Sequence, residues 1–339
     1  MRWLVLVAIY GLSLARLARA GRRNELIVSC IVIGLLAVFL AVAAAMRASS
    51  TGRDIRTRTE TWSWMVAAFL LAASTRVELM FVMLGFLSFV ALREYFSLLP
   101  MYRGTFLRHE DRLAIGVAYL TIPITYVLAW LPWYGLYIIL IPVYAMLLLP
   151  VALLAGGHPR GIIVSMGSIV VGMLLFVFLF SHAAILVWYS PFLLFYALLI
   201  TELRDVFAYC VGNAFRRIPA PWLHVRVAPQ VNPRKTWAAA VVAAFGCALV
   251  SWSLAPLMPA LTEGTPTPRF LLWLGLAVGW LGLLGDLATG AIKRDLQVKD
   301  TSRSLPGHGG VIDRINGVVF TVPIIFHLIR YFYGGWELR

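Results

Sequence analysis

Residues Gly285–Gly317 read GDLATGAIKRDLQVKDTSRSLPGHGGVIDRING. The stretch holds four Asp, two Lys, three Arg, one His and six Gly, the densest set of functional groups in the chain. An apolar run, Phe270–Leu284, precedes it, and another, Val318–Ile329, follows. A charge-rich loop between two membrane-length segments is costly to keep at a bilayer surface unless it binds something polar. The residue types suit a polyphosphate: Asp for a hard divalent cation, Lys and Arg for phosphate oxygens, Gly for close backbone approach.

The rest of the chain supports that setting. Of 339 residues, 61% are hydrophobic and 13% charged, whereas a soluble domain carries about 25% charged residues. Several apolar runs reach the length a bilayer-spanning helix needs, and no alternating pattern suggests a barrel. The expected fold is all-α: a polytopic membrane helix bundle with about 9–10 transmembrane helices and cytoplasmic polar loops. The first apolar run, Trp3–Ala15, leads into Arg16, Arg19, Arg22 and Arg23 and not into a small-residue cleavage site. It reads as an anchor or an interfacial helix, not a cleaved signal.

The expected spans are Leu26–Met46, Trp62–Leu98 (one kinked helix or a hairpin turning near Ser74–Thr75), Leu113–Leu131, Tyr134–Ala155, Ile162–Ser181, Ala183–Leu203, Trp237–Leu257, Phe270–Leu284 and Val318–Ile329. The last two extend into and beyond the quoted stretch. Basic loops, at Met101–Arg112, Gly156–Gly161, Arg204–Lys235 and Gly290–Arg314, alternate with connections nearly free of cations at Pro132–Trp133, His182 and Met258–Pro268. This alternation puts both large polar loops on the cytoplasmic side. Residues 1–60 break it, with Arg on both sides of Leu26–Met46, and read as an N-terminal extension to a core of residues 61–339.

The net charge of +14 fits Arg-rich loops facing anionic membrane lipid. No basic stripe interleaved with aromatics is present, which argues against a nucleic-acid partner. Cys30, Cys210 and Cys247 lie in or beside apolar segments and read as small core residues. Only three of the 29 basic residues are lysines, and Lys235, Lys293 and Lys299 all fall in the two large polar loops. A compact ammonium is kept where phosphates would sit, and guanidinium is used elsewhere. Glu78, Glu94 and Glu202 lie within or beside spans and suggest no more than packing-level ion pairs.

Gly290, Lys293-Arg294, Lys299-Asp300, Pro306-Gly307-His308-Gly309-Gly310 and Asp313-Arg314-Ile315-Asn316 keep every spacing of a known signature. The chain resembles the CDP-diacylglycerol synthases, or phosphatidate cytidylyltransferases. That family has Ser where Gly290 stands and Asp where Asn316 stands. The second loop carries its Asp-x-x-Ala-Tyr-x-x-Gly segment as Asp205, Ala208, Tyr209 and Gly212. Its Ser-Pro-x-Lys-Thr-x-Glu-Gly segment is diluted to Asn232-Pro233-Arg234-Lys235-Thr236, with Ala238 and Ala239 replacing Glu and Gly.

The resemblance implies transfer of a cytidylyl group from CTP to phosphatidate, giving CDP-diacylglycerol and pyrophosphate at an inner (cytoplasmic) membrane. Mg²⁺ is the implied cofactor, with room for a second, monovalent cation, and a homodimer is allowed. Lys293, Asp313 and Asp286 are the implied catalytic residues. Asp286 and Asp313 would hold metal with Asn316, which shares a helix face with Asp313 and can offer a carbonyl oxygen. Asp205, Arg234, Lys235, Thr236, Arg294, Lys299, Asp300, His308, Gly309, Gly310 and Arg314 would contact substrate. Gly290, Asn232, Ala238, Ala239 and Asn316 also fit a paralogue acting on another lipid phosphate. A non-catalytic lipid- or nucleotide-binding protein is the reading outside the enzyme class.

Overall fold

The computed structural model describes residues 2–99, 111–131, 133–156 and 161–334. Eleven helices are described: α1 Arg2–Arg19, α2 Arg23–Ala45, α3 Ser50–Thr75, α4 Val77–Leu98, α5 Arg112–Trp130, α6 Tyr134–Ala155, α7 Ile162–Tyr189, α8 Pro191–Phe215, α9 Trp237–Ser253, α10 Pro268–Asp295 and α11 Ile312–Tyr333. A short antiparallel hairpin, β1 Arg226–Ala228 and β2 Asn232–Thr236, sits between α8 and α9. Among the described residues, α2, α4, α5, α6, α7, α10 and α11 are long and apolar enough to cross a membrane. Helix α8 packs among them but carries Glu202, Arg204 and Asp205 about its middle, and α9 is shorter. The molecule is an all-α, multi-pass membrane bundle.

Local chemistry sets the ends. Ser190 accepts a hydrogen bond from Phe192 N at 3.2 Å and Pro191 opens α8. Thr267 accepts from Phe270 N at 3.3 Å, with Pro268 opening α10. Both are N-cap arrangements with proline where its missing N–H costs nothing. Small residues let helices approach closely. A Cβ on Gly275 would lie 2.6 Å from the Cys247 carbonyl oxygen, and one on Gly279 would lie 2.5 Å from Ala244 Cα. The α9–α10 contact is thus a small-residue seam of the kind that packs helices in lipid.

Three expectations shift. The hairpin within Trp62–Leu98 is real and turns at Arg76, whose extended backbone separates α3 from α4. No connection exists at His182: the residue is fully buried inside α7, and its Nδ1 pairs with Phe178 O at 2.9 Å and Tyr137 Oη at 3.1 Å. Its Nδ1 is paired within the bundle, while Nε2 has no partner among the described residues, and the helix runs on through it, so the break falls at Ser190–Pro191. Of the cysteines, Cys247 is buried, whereas Cys30 and Cys210 lie on the outer surface. The expected loops Met101–Arg112 and Gly156–Gly161 and the turn at Pro132 fall largely outside the described residues.

Residue 60 falls inside α3, which continues from Ser50 to Thr75. The first half of α3 leans on the quoted stretch: Thr61 Oγ1 donates to Pro306 O at 2.8 Å, and Trp62 meets the His308 ring edge-on at 6.0 Å. Helices α1 and α2 pack against α3, and Asn24 Nδ2 of α2 donates to Leu257 O beyond α9 at 2.9 Å.

Candidate active site

Helix α10 runs straight from the apolar run into the polar stretch, so Asp286 and Lys293, seven residues apart, share one face. That face meets the start of α11. Asn316 Nδ2 donates to Asp286 Oδ1 at 2.7 Å, and Lys293 Nζ donates to Asp313 Oδ1 at 2.6 Å. Close approach of the two backbones permits both pairs: a Cβ on Gly285 would lie 2.4 Å from the Asn316 carbonyl oxygen.

Asp286 is the hub. Its side chain is 10% exposed, and its Oδ2 accepts from Arg204 Nη2 of α8 at 2.5 Å and from Lys235 Nζ of β2. The same Arg204 nitrogen lies 2.7 Å from Asp205 Oδ1, whose carboxylate is half exposed. The hairpin that carries Lys235 is seated on α10. Arg294 Nε donates to Val231 O at 3.2 Å, and a Cβ on Gly290 would meet Val231 Cγ1 at 2.8 Å. The glycine standing where the family has Ser is therefore the seat of the hairpin turn.

Asp313 lies in the first turn of α11, where a carboxylate is favoured by free backbone N–H groups. Its Oδ2 accepts from Gly310 N at 3.0 Å, Thr301 N at 2.9 Å and Thr301 Oγ1 at 2.9 Å. These bonds close the loop between α10 and α11 into a rigid clasp. Gly307 (φ 73°) and Gly309 (φ 79°) supply its left-handed turns, a conformation only glycine takes readily. His308 between them is buried, with Nδ1 3.2 Å from Pro306 O. Burial pushes the His308 imidazole below its ordinary value, so it is neutral at pH 7.

Glu94 of α4 is a functional residue that sequence reasoning missed. It is 7% exposed; its Oε2 accepts from Val311 N at 2.9 Å and its Oε1 pairs with the Thr301 hydroxyl. Glu94 thus fixes both the clasp and the N-terminus of α11. A Cβ on Gly310 would collide with its carboxylate. No signal in the sequence links residues 94 and 301 beyond an acid inside an apolar run.

The remaining expected residues spread around this centre. Thr236 caps α9, accepting from Ala239 N at 3.4 Å. Arg234, Lys299 and Asp300 are exposed on the same end of the bundle. Arg314 is part-buried, and its Nε has no hydrogen-bond partner among the described residues. Asn316 turns its carbonyl oxygen to Gly317 N at 2.8 Å and its N–H to Asp286, so its amide presents a donor, not the expected oxygen, to the hub.

Among the described residues no three Asp, Glu, His or Cys side chains are grouped so as to hold a metal ion by themselves. Among the described residues, Asp286 Oδ1 accepts from the Asn316 amide alone, and Asp313 Oδ1 from Lys293 alone. One carboxylate oxygen from each of two facing helices, with substrate phosphates supplying the rest, suits a hard divalent cation that takes few protein ligands. The three ion-paired carboxylates, Asp205, Asp286 and Asp313, are matched in number by the three cations that pair with them, Arg204, Lys235 and Lys293.

The profile described as Cytidylyltransferase family matches residues 56–332. The chain belongs to the cytidylyltransferase family. It is 31% identical over 287 residues to the uncharacterized protein YnbB of Escherichia coli (strain K12), covering 83% of this chain and 89% of that one. It is similar to the phosphatidate cytidylyltransferase of Bacillus subtilis (strain 168), 32% identical over 143 residues, 41% of this chain and 48% of that one. The phosphatidate cytidylyltransferase of Chlamydia pneumoniae is 30% identical over 141 residues, 41% and 42% of the two chains. The chain thus spans less than half the length of these two named enzymes but most of YnbB, as befits a divergent member of the family.

Proposed function

We propose that the protein is a CTP-dependent phosphatidate cytidylyltransferase acting at the cytoplasmic face of an inner membrane. A phosphate oxygen of the lipid bonds to the α-phosphorus of CTP, the bond from that phosphorus to the bridging β-phosphate oxygen breaks, and pyrophosphate leaves. The observation that carries this reading is the ion-pair cluster at the α10–α11 seam, where two partly exposed lysines, Lys235 and Lys293, are held by two carboxylates. Phosphoryl-type transfers need positioning and charge neutralisation more than covalent help.

Each residue then has a task. Lys235 and Lys293 hold Asp286 and Asp313 in place before substrate arrives and turn to the triphosphate when it binds, since phosphate competes well for a mobile ammonium. Asp286 and Asp313 would hold Mg²⁺, which supplies charge neutralisation on the leaving pyrophosphate. Arg234, Arg294 and Lys299, at the rim, draw in the nucleotide. The glycine turn with His308 closes over it, and Arg314 offers an unpaired buried N–H. The apolar flanks of α10 and α11 hold the lipid substrate at the same membrane depth as the cluster.

Asn316 and Gly290 favour a second reading, a cytidylyltransferase whose acceptor is another lipid phosphate. Pyrophosphate release by the purified protein separates the readings, with CTP, Mg²⁺ and phosphatidate omitted in turn and other lipid phosphates substituted. Release that needs all three, and is greatest with phosphatidate, supports the first. Release only with a different lipid phosphate supports the second, and none with any acceptor rejects both.

A further inference from the structure

Arg204 has no counterpart in the tasks above. It is 2% exposed, inside the second half of α8, yet its Nη2 lies 2.5 Å from Asp286 Oδ2, 2.7 Å from Asp205 Oδ1 and 2.9 Å from the Gly282 carbonyl oxygen. Space for the guanidinium is built in. A Cβ on Gly282 would lie 2.9 Å from Arg204 Nε, and one on Gly317 would lie 3.8 Å from Nη2. Two carboxylate oxygens and a carbonyl oxygen around one point form the hard-oxygen shell of a metal ion. Here a nitrogen of the protein occupies that point.

Lys235 contrasts with it. Its side chain is 22% exposed, on a hairpin strand, whereas the Arg204 side chain is 3% exposed and enclosed by α8, α10 and α11. A lysine at the surface can exchange Asp286 for a phosphate. A buried guanidinium, charged at every working pH and held through Nη2 by three oxygens, cannot leave.

We propose that Arg204 is a built-in cation that takes the place of a second metal ion, fixing Asp205 and Asp286 so that the site binds one exchangeable divalent ion and needs no monovalent one. Arg204 is a positioning residue: it touches the carboxylates, not the substrate. The proposal deepens the nucleotidyltransferase reading, but its structural arm stands without turnover.

The test uses the full chain purified in detergent. Thermal unfolding is followed in KCl, NaCl and choline chloride at equal ionic strength, and bound Mn²⁺ is counted by electron paramagnetic resonance. The wild type should unfold at one temperature in all three salts and bind one Mn²⁺ per chain. Arg204→Ala removes the cation between Asp205 and Asp286 and leaves the buried Asp286 carboxylate with Lys235 alone, so pyrophosphate release should fall by about 100-fold. Unlike a merely structural loss, this one should be relieved by K⁺, Na⁺ or low-millimolar guanidinium and not by choline, in both unfolding temperature and rate. A wild type that requires K⁺ or Na⁺, or binds two Mn²⁺ or none, overturns the proposal. So does a folded Arg204→Ala that ignores all added cations. If that variant does not fold, the wild-type salt and Mn²⁺ measurements decide. If pyrophosphate is never released, the unfolding and Mn²⁺ results still decide, and the failure lies with the functional reading alone.

Discussion

Replacing Asn316 by Asp reverses the sign of one contact at the hub. The Asn316 amide donates to Asp286 Oδ1 at 2.7 Å; an Asp there would set two carboxylates against each other. Loss of a hydrogen bond to a charged group costs about 1.5–3 kcal/mol. Two like charges about 4 Å apart at an effective dielectric constant of about 20 repel by about 4 kcal/mol. Arg204 and Lys235 already face Asp286 and offset part of this repulsion. The expected destabilisation without divalent ions is therefore about 3–5 kcal/mol. A divalent cation between the carboxylates turns repulsion into ligation, so Mg²⁺ should recover most of the loss and bind the variant at least about tenfold more tightly, a difference of about 1.4 kcal/mol. Thermal unfolding in detergent, in EDTA and across a Mg²⁺ series at fixed ionic strength, reads both effects. Asn316→Asp should unfold well below the wild type in EDTA and approach it in Mg²⁺. Equal Mg²⁺-dependent shifts in the two proteins would refute the assignment of Asp286 as a ligand of the cation.

Other predictions follow from the same geometry. Glu94→Ala leaves the buried Val311 N–H without its acceptor, while the Thr301 hydroxyl can still donate to Asp313 Oδ2, and should cost about 1–3 kcal/mol; denaturant titration checks this, and Glu94→Gln should retain part of the stability. Gly290→Ser should lower activity by pushing Val231 off α10, and Val231→Ala in the same chain should restore it; simple additivity of the two changes would contradict the seat assigned to Gly290. The lowered pKa of His308 adds no pH dependence above about pH 6.5 and makes the fold lose stability as pH falls from there through the lowered value, because the unfolded chain binds the proton more readily. His308→Asn should flatten that acid limb in an unfolding-temperature profile.

Much of the bundle was legible in the chain. The Tyr134–Ala155 span matches its helix, and the hairpin near Ser74–Thr75 turns one residue later, at Arg76. Apolar length and cap residues write such features locally. The break wrongly expected at His182 shows the limit, since a lone polar residue looks like a turn until a partner such as Tyr137 meets it from another helix.

The polar site divides the same way. Asp286, Lys293, Asp313 and Asn316 stood out because they fall at the spacings of the signature that the stretch resembles. Their pairing, Asp286 with Asn316 and Lys293 with Asp313, depends on how α10 crosses α11. Arg204 read as the edge of a basic loop and Glu94 as a packing acid, since nothing local reveals partners 82 and 207 residues away. Lys235 joins Asp286 only because the β1–β2 hairpin folds back onto α10, and that depends on a glycine at position 290.

The most direct test of cytidylyl transfer follows a radiolabel. CTP labelled at the α-phosphate, incubated with the purified protein, Mg²⁺ and phosphatidate, should deliver its label to the organic phase as a lipid, while γ-labelled CTP should leave its label in water as pyrophosphate. Asp286→Asn should abolish both. Label from neither position moving, with the wild type folded and every component present, would contradict the proposed chemistry.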